Sequence, residues 1–423
     1  MLKAFKYRLY PNDEQKALLA KQFGHCRWVY NWGLRIKQDA FKATGKSPSK
    51  FDLANQLPGL KKETATEWLK EAGSQSLQAA LEHLDTAYNN FFAKRADYPT
   101  FKSKHDSKQS YTIPSGVEVV WDQGRVWLPK FKESLVVKLS RKYEGATRKA
   151  TVSRNASGEY YISIIVETGA EAPVKPKLES KDDVLGVDVG LKDFAITSEG
   201  EVVDNPKYLK HASKRLALLQ KRQSHKVKGS KNRNKARVLV ARCHQKISDK
   251  RTDFLHKLSS RLVGENKAVA REDLNVAGML KNHKLAKGIS DVSWSQFDTF
   301  LTYKCEWYGK WFLQIGRFEA SSKTCNVCSY VKRDLTLADR KWYCPVCKVW
   351  HDRDVNAAKN MSSWAYIAWQ REQEIPTGGG ESKSVSPPGD IQRKPKRKGV
   401  GEVPVGQKGV ARAPQNPRPF RVG

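Results

Sequence analysis

The arrangement of apolar residues predicts a multidomain chain of mixed α/β and β class: an N-terminal β domain carrying a helical insertion, then an α/β layer domain. Three observations carry that reading. Apolar residues recur at helical spacing over residues 15–42 and 74–94; short alternating runs separated by Gly and Asp turns fill residues 101–168; and strands alternate with helices from residue 185 onward.

Taken in order, residues 2–10 alternate as a strand that is expected to join the β domain. Pro11-Asn12-Asp13 then opens a helix with an Asx-type cap, and Leu18, Leu19, Phe23, Cys26, Val29 and Tyr30 give it one apolar face. Leu77, Leu81, Leu84, Ala87, Tyr88 and Phe91 do the same for a second helix. Residues 118–121, 124–128 and 160–166 read as strands, and residues 171–182, with two prolines and alternating charge, as a linker. Beyond the linker come strands at 185–189, 193–197 and 201–203 and a basic helical hairpin over 206–262. A strand at 268–271, a helix at 294–308, a strand at 312–315, a cysteine module at 325–347 and a helix at 356–370 follow. Three strands and then alternating helix and strand is the order of an RNase H-like layer. Residues 376–423 hold nine Gly, eight Pro and ten Lys or Arg, and read as a disordered basic tail with too little apolar surface to fold alone.

Composition narrows the function classes. Of 423 residues, 77 are Lys or Arg against 44 Asp or Glu, a formal charge of +33 that points to a polyanionic partner. No run of about 18 uncharged apolar residues is present, which excludes a spanning helix. Charges at Lys3, Lys6 and Arg8 break up any signal-peptide core, so an intracellular protein without a membrane partner is expected. Four of the seven cysteines fall in C-x-x-C pairs, which argues for metal rather than disulfides. Residues 207–251 carry sixteen Lys or Arg and a single acid, Asp249, too lopsided for intrahelical ion pairs and better suited to phosphate contact.

Three carboxylates stand at the ends of separate elements. Asp188 lies in Gly186-Val187-Asp188-Val189-Gly190, where a strand turns tightly into the next and the glycines are expected to admit a bulky ligand. Actin-like sugar kinases also open with an Asp between small residues, but the further Gly-rich phosphate loops they need do not follow Gly190. Glu272 follows the strand at 268–271, next to an Arg271 that is expected to meet either phosphate or Asp273. Asp354, in His351-Asp352-Arg353-Asp354-Val355-Asn356, begins the last helix and read alone is a cap. As a set, these oxygen-only donors suit Mg²⁺ or Mn²⁺ and two-metal phosphodiester hydrolysis. Cys325, Cys328, Cys344 and Cys347, with 15 residues between the pairs, fit a Cys₄ Zn²⁺ ribbon, structural because four thiolates leave no open position.

The three acids in this order, with the ribbon between the second and third, resemble the TnpB (OrfB) family of transposon-encoded proteins, relatives of type V CRISPR effectors. RLYP at 8–11, GVDVGLKDFAIT at 186–197, EDLNVAGM at 272–279, NHKLAKGISDVSW at 282–294, the four cysteines and DRDVNAAKN at 352–360 carry the resemblance, which covers about the first 370 residues. It implies an RNA-guided endonuclease that binds a transposon-end guide RNA, reads a short flanking motif in double-stranded target DNA and cuts it at a RuvC-like site. The acids matching Asp188, Glu272 and Asp354 would be catalytic and hold Mg²⁺, and the ribbon would help load the target strand. The implied domains are a wedge strand (1–10), a helical recognition unit (11–100), a β wedge (101–170), a linker (171–182), a RuvC-like nuclease in two parts (183–320 and 351–372), a zinc-ribbon insertion (321–350) and a basic tail (373–423). Phe51, Asn55, Ser74 and Gln78 are the matching candidates for reading the flanking motif. Ser329 and Lys348 stand where the family's knuckles carry Gly. A cytoplasmic, nucleoid-associated prokaryotic protein is expected. The alternative is an RNA-guided DNA-binding repressor or transposition regulator that does not cut, and retention of all three acids favours the enzyme. A transposase that joins strands itself is set aside only by the resemblance.

Overall fold

The structure is a computed structural model that describes residues 1–374 except Phe318 and Leu337; the expected basic tail lies outside the described residues, apart from residues 373 and 374. The chain begins with β1 (Leu2–Tyr10), α1 (Asp13–Thr44), α2 (Lys50–Leu60) and α3 (Ser74–Phe92). Asn12 caps α1: its side chain accepts from the Gln15 amide at 2.8 Å, and the Gln15 side chain accepts from the Asn12 amide at 3.1 Å. Gly45, at φ 69°, closes the other end by donating to the Phe41 carbonyl. Helix α2 was not expected: only Leu53 and Leu57 on it are buried and Pro58 lies within it, so its apolar period is too short to read.

Six strands follow: β2 (Gln109–Ile113), β3 (Glu118–Val120), β4 (Arg125–Trp127), β5 (Leu135–Lys138), β6 (Ala146–Arg154) and β7 (Tyr160–Glu167). They form an antiparallel seven-stranded sheet, β2-β6-β7-β1-β5-β4-β3; β1 joins it as expected, and its place is between β7 and β5. One apolar core joins this sheet to α1, α2 and α3 through residues such as Tyr7, Phe23, Leu34, Leu53, Leu81, Tyr111 and Ile162.

The second half opens with β8 (Val184–Val189), β9 (Asp193–Thr197) and β10 (Val202–Asp204), then α4 (Tyr208–Ser224) and α5 (Lys231–Glu265). It continues with β11 (Ala268–Glu272), α6 (Val276–Met279), α7 (Ala286–Val292), α8 (Trp294–Tyr308) and β12 (Trp311–Ile315). A hairpin of β13 (Lys341–Tyr343) and β14 (Trp350–Asp352) leads into α9 (Arg353–Glu374). The sheet order is β10-β9-β8-β11-β12: β10, β9 and β8 run antiparallel, while β8, β11 and β12 are parallel. This is the RNase H-like order read from the sequence.

Alternation along β8 and β11 assigns the two faces. Leu185, Val187 and Val269 pack with α5 and α8, through Leu255, Leu262, Phe297 and Leu301. Val184, Ala268 and Ala270 pack against Ala357, Met361, Ala365 and Trp369 of α9. Fully burying a large side chain of this kind contributes about 1.5–3 kcal/mol, so α9 is anchored firmly. The approach is close enough that a Cβ on Gly186 would lie 1.9 Å from the Ala358 carbonyl oxygen. Gly186 therefore admits the backbone of a helix, and the expectation that it makes room for a ligand is corrected. Gly190 serves the tight turn: a Cβ there would stand 3.0 Å from the Asp193 carbonyl.

Gly186→Ala is expected to destabilise the chain by about 1–3 kcal/mol through overpacking. Urea unfolding measures it, and an unchanged midpoint would mean that α9 shifts at no cost.

Candidate functional site: a carboxylate cluster beside a cysteine ribbon

Strand alternation puts Asp188 and Glu272 on the α9 side of the sheet, because they continue the series Val184–Gly186 and Ala268–Ala270. Asp354 sits in the first turn of α9, so the seating of that helix on Gly186 brings the third carboxylate to the same edge. Asp354 is not the cap of its helix. That role falls to Asp352, whose Oδ1 accepts from the amides of Asp354 at 3.1 Å and Val355 at 3.2 Å. Asp354 is thereby left to side-chain partners: Arg340 donates to its Oδ2 at 2.9 Å, and Arg353 reaches its Oδ1 at 2.8 Å.

The electrostatics record the crowding. Burial first, then the charges of Asp354 and Glu272, push the Asp188 carboxyl up to about 7. Burial also raises Glu272 to about 7, opposed by Arg271 and reinforced by Asp273 and Glu319. Like charges held together in a half-buried pocket are what a cation would relieve, and the donors are all oxygen.

Arg271 does not pair with Asp273. It projects from the opposite face of β11, is fully buried, and pairs with Asp298 of α8. Asp273 instead accepts from Arg317 at 2.5 Å. The reason is register: adjacent residues of a strand face opposite ways, so the residue next to Glu272 cannot share its pocket.

The four cysteines close on one another, with all Sγ atoms within 4.8 Å; Cys325 and Cys347 stand at 3.6 Å, Cys328 and Cys344 at 3.5 Å. Thiolates on a tetrahedral ion with bonds of about 2.3 Å would be roughly 3.8 Å apart, so the cluster fits zinc. Among the described residues this is the one such group of potential ligands, and the carboxylates do not close to the same extent. Ser329 and Lys348 adopt φ values of 61° and 58°, the left-handed conformation that Gly takes most easily, and each donates its amide back to the first cysteine of its pair at 2.9 Å. The non-glycine residues at both positions therefore keep the tight knuckle turn.

Sequence reasoning missed how the ribbon is fixed to α9. Asn356 and Asn360, four apart on one buried face of the helix, both donate to the Thr324 carbonyl, at 2.7 and 2.6 Å. Asn356 also accepts from the Asn326 amide at 3.0 Å. Two asparagines at helical spacing on a helix whose buried side is mostly apolar were the available signal. Arg340, the ribbon's ion pair to Asp354, carried none.

Comparison with known proteins decides the family. A Streptomyces pristinaespiralis protein provisionally named an RNA-guided DNA endonuclease is 43% identical over 362 residues, covering 85% of this chain and 88% of that protein. The chain belongs to the TnpB (OrfB) family. Escherichia coli K12 InsQ, provisionally named in the same way, is 32% identical over 375 residues, 85% of this chain and 91% of InsQ. Family models described as "Probable transposase", "Helix-turn-helix domain" and "Cas12f1-like, TNB domain" match residues 163–283, 1–46 and 294–361. The second of these spans a strand and one unbroken helix in this TnpB-family chain. A Cas12f1 chain, solved as a complex with sgRNA and target DNA, shares the fold with a TM-score of 0.52 at 14% identity, covering 86% of this chain and 98% of that one.

The four flanking-motif candidates of this TnpB-family chain lie on α2 and the start of α3, and all four are exposed; Ser74 Oγ accepts from Lys61 Nζ at 2.7 Å. Along α4 and α5, Leu216, Cys243 and Ile247 form a small seam, while Lys214, Arg215, Lys221 and Arg222 stay exposed. Among the described residues no helix is long and apolar enough to cross a membrane.

The raised carboxyl of Asp188 has a consequence for stability. The folded chain holds that proton up to about pH 7, whereas the ordinary value is 3.8, so its contribution is complete at low pH and is lost as pH rises through 7. Metal-free protein is expected to unfold at lower urea at pH 8 than at pH 5. Asp188→Asn should remove the Asp188 share of that difference and leave the share that the raised Glu272 carboxyl carries in the same direction, each tenfold gain in proton affinity on folding corresponding to roughly 1.4 kcal/mol at most; identical pH profiles for the two proteins would contradict the assignment.

Proposed function

We propose that this chain is a transposon-associated, RNA-guided double-stranded DNA endonuclease with a RuvC-type site at Asp188, Glu272 and Asp354. The observation that carries the reading is the convergence of three carboxylates, from β8, β11 and α9, at one edge of an RNase H-like sheet. The family relatives' names and a charge of +33 support it. The oxygen-only set fits Mg²⁺ or Mn²⁺, held by these three residues. Bound there, a divalent pair supplies an activated water and charge stabilisation for the leaving oxygen. The chain's own part is to orient the carboxylates and to place the Arg340 and Arg353 guanidinium groups beside Asp354. No protein side chain acts as nucleophile.

In the same reading, Cys325, Cys328, Cys344 and Cys347 hold a structural Zn²⁺. Helices α1–α3 form the recognition unit, with Phe51, Asn55, Ser74 and Gln78 toward the flanking motif, and the seven-stranded sheet is the wedge. Guide pairing supplies sequence specificity while the protein grips backbone and duplex shape. The exposed cations of α4 and α5 contact phosphates.

Protein purified with its RNA and given Mg²⁺ is expected to linearise plasmids carrying a guide-matched target beside a subset of randomised flanks. Asp188→Ala should abolish the product and keep RNA binding. Flank-selective binding without cutting would put a binding-only role in its place. Replacing Lys214, Arg215, Lys221 and Arg222 by Gln should weaken RNA binding and flatten its dependence on salt, by about 0.7–0.9 in log–log slope for each phosphate that is no longer neutralised. An unchanged slope would remove the hairpin from the interface.

A further inference from the structure

The cysteine cluster has a fifth close neighbour. His351 Nε2 lies 3.1 Å from Cys325 Sγ, and both residues are buried. The ring packs at 4.7 Å against Trp342, its cross-strand partner in the β13–β14 hairpin. His351, three residues before Asp354, belongs to the strand that ends at Asp352, the cap of α9.

We propose that His351 is a positioning residue that donates an Nε2–H hydrogen bond to the Cys325 thiolate and so ties the ribbon's metal centre to the carboxylate site. The chemistry follows from the donor inventory. A metal-bound thiolate only accepts, so a ring nitrogen at this distance bonds to it by donating. A hydrogen bond to a ligating sulfur fixes the ligand's orientation and steadies the ion, and loss of such a partner typically weakens metal binding 10–100-fold. Here the donor is also part of the chain that delivers Asp354: His351 is held by the cluster, Asp352 caps the helix, and Arg340, whose carbonyl accepts from the Arg353 amide at 2.8 Å, holds the Asp354 carboxylate. Filling the ribbon therefore orders the segment that presents the third acid. The link to catalysis rests on the endonuclease reading; the link to the ribbon's metal does not.

The test uses the full chain with two variants. His351→Phe keeps a ring against Trp342 and removes the donor, while His351→Gln removes the ring and keeps an N–H. Zinc release to a chromogenic chelator is expected to be at least tenfold faster for His351→Phe and intermediate for His351→Gln. In Co²⁺-loaded protein, the thiolate-to-cobalt charge-transfer band should shift in His351→Phe and return toward wild type in His351→Gln. Wild-type release and an unshifted band in His351→Phe would overturn the proposal, as would a wild-type Co²⁺ spectrum of the Cys₃His kind, which would make His351 a ligand. If the metal readouts change as expected, guide-matched DNA cleavage should fall with them. Unchanged cleavage by a variant with an altered metal centre would overturn the link to Asp354. Absence of cleavage by the wild type would instead count against the endonuclease reading and leave the metal result standing.

Discussion

The site depends on the contact between Gly186 of β8 and the backbone of α9 at Ala358. Any side chain at position 186 would occupy the space that the Ala358 carbonyl takes. Because that space is free, α9 lies directly on the sheet, its Ala and Met stripe covers the β8–β11 face, and its first turn arrives beside Asp188 and Glu272. Helix placement on a strand, rather than any bond between the acids, brings the third carboxylate in. Ser198 brackets the same glycine, with its amide on the Gly186 carbonyl at 2.8 Å and its Oγ accepting from the Gly186 amide at 3.1 Å.

The second constraint is the docking of the ribbon on that helix. Asn356 and Asn360 are buried polar groups on a helix whose buried side is mostly apolar, and each would be costly if unpaired. Both are satisfied by the first knuckle, so ribbon and helix form one unit. Arg340 extends from that unit to the Asp354 carboxylate. The geometry of the carboxylate site is thus shared between the sheet and the ribbon. The pair of buried Arg271 and partly exposed Asp298 works on the opposite face, between β11 and α8, where it fastens the strand that ends in Glu272.

Much of this was legible in the residues. The capped first helix, the insertion of β1 into the β domain, the strand order of the α/β layer and the cysteine spacing are all local patterns, read from turn chemistry, alternation and ligand spacing. The misreadings share a cause. Arg271 as a partner of Asp273 and Gly186 as an opening for a ligand are both statements about neighbours, and neighbours in space are not neighbours in sequence. Helix α2 escaped for a different reason, because two buried leucines and an internal proline give no period to follow.

By itself the sequence determined which chemistry is available: three carboxylates at element ends, four thiolates at ribbon spacing and an excess of cations along one hairpin. These follow from residue type and local period, which the chain carries without folding. Only the tertiary structure decided which groups meet. Asp352 rather than Asp354 caps the helix, Asp298 rather than Asp273 takes Arg271, and Arg340 crosses from the ribbon to the carboxylate site. The physical reason is that pairing energies depend on separations of a few ångströms, and those are set by how β8, β11 and α9 pack rather than by the order of their residues.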